Sequence, residues 1–527
     1  MNKRLFLKTS VAVFAALFAF ALNAEIKMNK LFSDNMVLQN GKQVKVWGQS
    51  LPNAKVSVKF AGQNVSTKAD KNGEWSLYLK PLKINAKPAT MQVLENGKEG
   101  KTINGVLVGE VWFISGQSNM QFGLSAADNY KEANARANYP QIRFFMHPAG
   151  RVATKPLKDF VNPERSNWEV VCPDRIGGKS AVGFFFAEKL TKELKGVPVG
   201  LIQSALGGSA MITWIAREDL NNVKSHAKDL EKFDKENKNY NYKEAQEKFK
   251  KDIAAYNAEK AEAKKAGKHF DKYPPREPHP LATGRVTRMP GYLYNANVAP
   301  VTDYALRGFL WYQGEDDGYG PNVFEEKLTA IINGWRKYWG DENLPFVFMQ
   351  LPSWYAHNDR MKCPPWEGVR WAQYNTAKHV KNTYMVVTID LGEKFDIHPK
   401  NKIDVGYRAA NIALKEVYGK KNLVVYGPAF KSFEYGGDRV AIKFDSFGKK
   451  MVLKGEPRGF EVFNGKKWVK AGDVSFDQKT NTVIVKGKDG DDVEGVRYLW
   501  TSWAAPDACL FNEDGLPVMS FTNKDGE

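Results

Sequence analysis

Between residues 106 and 418, short apolar runs, each long enough for one buried strand, alternate with segments whose apolar residues recur at helical spacing. The runs are Val111-Trp112-Phe113-Ile114, then 197–202, 309–312, 346–351 and 385–389; the helical segments include 181–194, 324–339 and 405–417. A strand that is apolar on both sides must be covered on both sides, so the alternation predicts an α/β fold: a parallel sheet with helices on both faces. In open sheets of this kind, sites gather at the carboxyl ends of the strands.

The flanks read differently. Residues 25–105 carry short alternating runs such as Val44-Lys45-Val46-Trp47 and Val56-Ser57-Val58-Lys59-Phe60, separated by turn signals including Pro52-Asn53 and Asn72-Gly73, the pattern of a small β-sandwich. Residues 423–527 are again β-like, as in Arg439-Val440-Ala441-Ile442-Lys443-Phe444 and Thr482-Val483-Ile484-Val485, which predicts a C-terminal β domain. A length of 527 residues accommodates roughly three or four domains. The first 24 residues read as a secretory signal peptide: Lys3, Arg4 and Lys8 border an apolar run over 11–22, and Ala19, Ala21 and Ala24 mark its end. Export to the periplasm or the medium is the consequence, with no stable membrane span expected, because the run is short and no other long apolar stretch exists.

Inside the α/β region, 217–280 is rich in Lys, Glu and Ala and poor in large apolar residues, which predicts an exposed helical insertion ended by Pro274-Pro275. Its Phe233, Tyr240, Tyr242, Phe249 and Tyr256 supply a packing stripe. The insertion also holds much of the excess positive charge, +18 for the chain and +15 without Lys3, Arg4 and Lys8. Its lysines alternate with acids as on a solvated face, and nothing resembles a nucleic-acid-binding module. Cys172, Cys363 and Cys509 are too widely spaced for a metal cluster or a disulfide framework.

The run Val111-Trp112-Phe113-Ile114 leads through Ser115 into Gly116-Gln117-Ser118-Asn119-Met120. Glycine permits a sharp turn there, and the turn exposes the Ser118 hydroxyl at the lip of the sheet. The pattern is Gly-x-Ser-x-Met, so the Gly-x-Ser-x-Gly nucleophile elbow of the α/β-hydrolases is not matched. A serine nucleophile needs a base, and histidine titrates in the right range. Of seven histidines, His226, His269 and His279 lie in or beside the charged insertion, and His147, His357 and His379 have no informative setting. His398 follows the strand-like 385–389, sits in a loop containing glycine and proline, and precedes the helical 405–417. Asp396 either orients its imidazole, as in a Ser-His-Asp triad, or caps a turn; Asp390 and Asp404 are also near in sequence.

Developing negative charge on an ester requires hydrogen-bond donors. Gly207-Gly208-Ser209 follows one strand and Gln313-Gly314-Glu315 follows another, so four segments fall at successive strand ends: those of Ser118, Gly208, Gln313 and His398.

Together these segments resemble the sialate O-acetylesterase family, a carbohydrate-esterase branch of the SGNH hydrolases. The likeness rests on Gly116-Gln117-Ser118-Asn119-Met120, Pro198-Val199-Gly200-Leu201-Ile202 through Gly207-Gly208, Trp311-Tyr312-Gln313-Gly314-Glu315, and Asp396-Ile397-His398-Pro399 with Asn401-Lys402, and it extends over nearly the whole mature chain. The resemblance implies a three-layer α/β/α core over 106–422, removal of acetyl esters from sialic acids, and no metal or cofactor. It implies Ser118 as nucleophile, His398 as base, and the Ser118 and Gly208 N–H groups with the Gln313 side chain as oxyanion donors. The triad acid is Asp396 or its rival Glu315.

One departure stands out. Where the family commonly has Ser-Asn after Gln-Gly-Glu, this chain has Asp316-Asp317, and beside an anionic sugar at least one of the two must point away or find a cation. Arg285 and Arg288 are candidate partners for a substrate carboxylate. Acetyl-xylan or another acetylated glycan is an alternative substrate that fits the same motifs, and a carbohydrate-binding protein on an inactive esterase fold is an alternative of another class.

Overall fold

The computed structural model describes residues 26–148, 150–281, 285–358 and 361–524. The expected signal peptide lies outside the described residues. Among the described residues no helix is long and apolar enough to cross a membrane.

Seven strands form the main path of an eleven-stranded sheet: β1 (Lys98–Gly116), β2 (Tyr139–Met146), β3 (Asn167–Val171), β4 (Val199–Ala205), β5 (Gly308–Tyr312), β6 (Phe346–Met349) and β7 (Thr383–Val386). Their spatial order is β3-β2-β4-β1-β5-β6-β7. All neighbours are parallel except β3, which runs antiparallel along β2 at the edge. β1 is central, with Val199 to Ala205 of β4 on one side and Gly308 to Tyr312 of β5 on the other.

Alternation along β1 sends side chains to two apolar clusters. Trp112 and Ile114 pack with helices α2 (Ala181–Glu193) and α7 (Ile403–Glu416). Val111 and Phe113 face the other way, toward α5 (Phe324–Trp339) and α6 (Trp366–His379), where Phe113 meets the Trp335 ring edge-on at 5.4 Å. Helices therefore cover both faces. A short α1 (Ser118–Gln121) follows β1 directly.

The strand β1 is 19 residues long and runs through the boundary expected at 105/106. Its first half pairs with Asn85–Glu95, which pairs with Lys55–Phe60, which in turn pairs with Gln63–Lys68. A second small sheet joins Lys27–Met28, Val44–Gln49 and Glu74–Leu79. Their inward residues, including Val46, Val58 and Leu77, share one apolar cluster with Phe113 and Trp335. The N-terminal strands thus pack as an extension of the central core.

Beyond residue 428 two four-stranded sheets and one strand pair enclose a separate cluster that includes Val440, Ile442, Val462, Val483 and Tyr498. Arg370 of α6, fully buried, ties this unit to the core by donating to the carbonyls of Thr501 and Ser502.

The insertion forms two helices, α3 (Ala227–Lys238) and α4 (Tyr242–Lys265), the second with no buried residue. Phe233 packs edge-on against Tyr292 and Tyr256 against Phe270, while the Tyr240 hydroxyl bonds the His279 carbonyl at 2.9 Å. Cys172, Cys363 and Cys509 are unpaired.

Candidate active site

From Val106 to Met120 every residue is buried except Ser118. Gly116 produces this exposure. Its φ of +139° belongs to glycine, and a Cβ there would collide with the Tyr312 carbonyl on β5. Past the turn, the Gln117 N–H donates to Tyr312 O at 2.9 Å, and its side-chain oxygen accepts from the N–H groups of Gly314 and Asp316, each at 3.3 Å. The chain then enters α1 at Ser118.

The loop after β4 closes on this turn. A Cβ on Gly207 would lie 3.3 Å from that of Ser118, and the Gly207 N–H donates to Gln121 Oε1 at 2.8 Å. Gly208 has φ +64° and lies under the Arg285 guanidinium.

His398 arrives on the loop between β7 and α7. Asp396 Oδ1 accepts from the His398 backbone N–H at 2.8 Å and lies 3.6 Å from its Nδ1. One carboxylate oxygen therefore shapes the turn and faces the imidazole. The ring is half-buried and stacks on Phe122 at 6.4 Å. Burial lowers its pKa from the ordinary 6.5; Asp396 acts to raise it, and Lys402 and His357 to lower it further. The neighbouring acids are committed elsewhere: Asp390 holds Arg408 through two bonds of 2.7 Å, and Asp404 accepts from Asn401 at 2.8 Å.

Glu315, the rival acid, is buried below the turn, and its Oε1 accepts from Asn119 Nδ2. The same nitrogen donates to the Ile397 carbonyl at 3.0 Å, and Lys402 Nζ donates to Asn119 Oδ1 at 2.6 Å. Burial is the main cause raising the Glu315 pKa, while it pushes Lys402 down to about 7.

Gln313 is engaged within the protein: its Nε2 donates to Asp317 Oδ2 at 2.6 Å and to the Ser209 carbonyl at 3.3 Å, which occupies both amide hydrogens in this structure. The two extra acids both find cations. Asp317 pairs with Lys327 at 2.9 Å inside the protein and accepts from the Met211 N–H at 2.8 Å. Asp316 takes two bonds from Arg288, at 2.9 and 2.7 Å, with Arg285 at 3.7 Å.

The other histidines are engaged away from this cluster or on its margin. His226, His269 and His379 pair with Asp229, Asp271 and Glu325, His147 packs on Phe145 and Phe160, and His279 accepts from the Leu281 N–H. His357 leans on Trp354.

This cluster falls inside a recognisable family span. The family model described as "carbohydrate esterase, sialic acid-specific acetylesterase" matches residues 108–243 and 286–415. The chain belongs to that family. The gap in the match, 244–285, contains most of α4 and Pro274-Pro275, whereas α3 lies inside the matched span. Sialate O-acetylesterases of Rattus norvegicus and Homo sapiens are 28% and 25% identical to it, covering 90% and 89% of this chain and 89% and 87% of theirs. A carbohydrate acetylesterase from Xanthomonas citri superposes with a TM-score of 0.78 at 29% identity, covering 95% of this chain and 100% of that one. The likeness to that acetylesterase therefore extends into the flanking β structure.

Gln117, Asn119 and Lys402 lay inside the quoted motifs, but sequence reasoning gave none of them a role. The only signal was position: two flank Ser118, and one follows the His-Pro pair.

Proposed function

We propose that the protein hydrolyses O-acetyl esters on sialic acids through an acetyl-Ser118 intermediate. The observation that carries this reading is Ser118 itself, the one accessible residue at the end of the central strand, joined through Asn119 and Ile397 to the loop bearing Asp396 and His398. His398, whose burial favours the neutral imidazole, accepts the Ser118 proton as the hydroxyl attacks the acetyl carbonyl. Asp396 faces Nδ1 and stabilises the imidazolium. The Ser118 and Gly208 N–H groups receive the oxyanion. His398 returns the proton to the departing sugar oxygen, then deprotonates a water that attacks the acetyl-Ser118 carbonyl, which releases acetate and restores the Ser118 hydroxyl.

Arg285 is the candidate partner for the sialate carboxylate. Arg288 holds Asp316 through two hydrogen bonds, whereas Arg285 makes only a looser ion pair with that acid at 3.7 Å and is about one-third exposed. The reading includes an SGNH-type three-layer core over 106–422, supported by helices on both sheet faces, with β domains over 25–105 and 423–527. It includes export, supported by the basic and apolar pattern of the first 24 residues.

The test is acetate release by purified protein from O-acetylated sialosides and from acetylated xylan, with Ser118→Ala alongside. Release from sialosides that is abolished in the variant is expected. Release from xylan alone would move the substrate to a neutral glycan, and equal release by wild type and variant would remove Ser118 from the mechanism.

A further inference from the structure

Lys402 is 1% exposed, an unusual place for an ammonium group. Its bond goes to a neutral acceptor, Asn119 Oδ1, at 2.6 Å, and its charge faces the rings of Phe122 at 4.8 Å and Tyr312 at 5.7 Å. In its charged form Lys402 can only donate, and this fixes the orientation of the Asn119 amide: the oxygen faces Lys402 and Nδ2 faces away. Nδ2 then meets two acceptors from two other segments, Glu315 Oε1 beyond β5 and Ile397 O beside His398. If the amide turned over, its oxygen would face a carboxylate and a carbonyl, three acceptors with no hydrogen between them. Glu315 Oε2 is already buried without a partner, so the cluster has little polar satisfaction to lose.

We propose that Lys402 is a positioning residue for Ser118 and His398: by donating to Asn119 it fixes the amide that clamps the His398 loop and Glu315 against the turn bearing the nucleophile. This rests on the hydrolytic reading above, since it assigns Lys402 a part in organising that site. The charged groups around it are Glu315, Asp396 and Glu393, which favour the ammonium, and His398, whose protonation it opposes. The lysine thus holds the geometry and disfavours the imidazolium in the resting site.

The experiment is Lys402→Met in the full chain, assayed with 4-nitrophenyl acetate across pH, beside the double variant Lys402→Met/Glu315→Gln. The single variant should lose at least about 30-fold in kcat with KM within about twofold, and the acid limb of kcat/KM should move to higher pH as His398 loses its neighbouring cation. The double variant removes the unbalanced buried carboxylate, so it should regain thermal stability but not kcat; if the single variant does not fold, the double variant carries the comparison. Unchanged kcat, an unmoved acid limb, or recovery of kcat together with stability would overturn the proposal. Absence of ester hydrolysis by the wild-type protein would instead refute the hydrolytic reading, and an active Ser118→Ala would refute only the nucleophile, so the failures are distinguishable.

Discussion

Asn119 Nδ2 donates to the carbonyl of Ile397 at 3.0 Å, which bonds the neighbour of Ser118 to the neighbour of His398. The two loops come from strands far apart in sequence, and this part-buried bond is a direct tie between them. Asn119→Ala would strip the tie and leave Glu315 and Lys402 without their shared partner. The expected cost is about 2–4 kcal/mol of folding stability, because a buried polar group left unpaired loses its full desolvation energy. Urea denaturation with matched slopes measures it, and a loss below about 0.5 kcal/mol would show that the tie carries little energy.

The pH profile follows from His398. Its pKa is depressed below 6.5, mainly by burial, and the base must be neutral to accept the Ser118 proton. Activity should therefore persist on the acidic side of 6.5, with the limb of kcat/KM falling below that value. In Asp396→Asn the support for the imidazolium is gone, so the limb should shift further down while kcat drops by about 10²- to 10⁴-fold. A wild-type limb above 6.5 would contradict the environment described for this imidazole.

Gly116 fixes the geometry of the turn. Gly116→Ala places a methyl group against the Tyr312 backbone and forces a non-glycine residue to φ +139°. Strain and overpacking of this kind together cost about 3 kcal/mol or more. The variant should show a lower Tm and weak activity even with Ser118 intact. Wild-type Tm and kcat would show that the turn can relax elsewhere.

The strand-helix alternation was legible because buried parallel strands and amphipathic helices differ in period. Phe324–Trp339 emerged over the span expected for it, while the strand expected at 385–389 begins earlier, at Thr383. The strands Tyr139–Met146 and Asn167–Val171 were not read. Asn167–Val171 is the short edge strand, and in Tyr139–Met146 beside it Pro140 and the mixed pattern of YPQIRFFM obscure the period. Helix Trp366–His379 was missed for a similar reason: Gly368 and polar residues break its apolar face, and Arg370 is buried by backbone carbonyls rather than by an apolar environment. At the site, motif order exposed Ser118 and His398, but the commitment of Gln313 to Asp317 depends on a contact that spacing alone does not reveal.

Asp317 and Lys327 form an ion pair with side chains 3% and 10% exposed. Lys327→Met leaves Asp317 charged and buried, held only by the Met211 N–H and Gln313 Nε2. Destabilisation of about 3–5 kcal/mol is expected. Adding Asp317→Asn should recover much of the loss, since the amide removes the uncompensated charge. A double variant as unstable as Lys327→Met would mean that packing, not charge, causes the damage.

Arg285 and Arg288 share one carboxylate unequally, and substrate selectivity should show it. Arg288→Ala releases Asp316 from two bonds and turns it toward Arg285, its remaining cation at 3.7 Å. Arg285→Ala removes the guanidinium over Gly208 while leaving the Arg288–Asp316 pair in place. If Arg285 receives the substrate carboxylate, this variant should raise KM for an O-acetylated sialoside by about 10-fold or more, the range expected for losing a charge-assisted bond. Turnover of 4-nitrophenyl acetate, which has no carboxylate, should stay within about threefold of wild type. An equal loss on both substrates would place Arg285 in the support of the Gly208 loop, with no role in recognising the sugar acid.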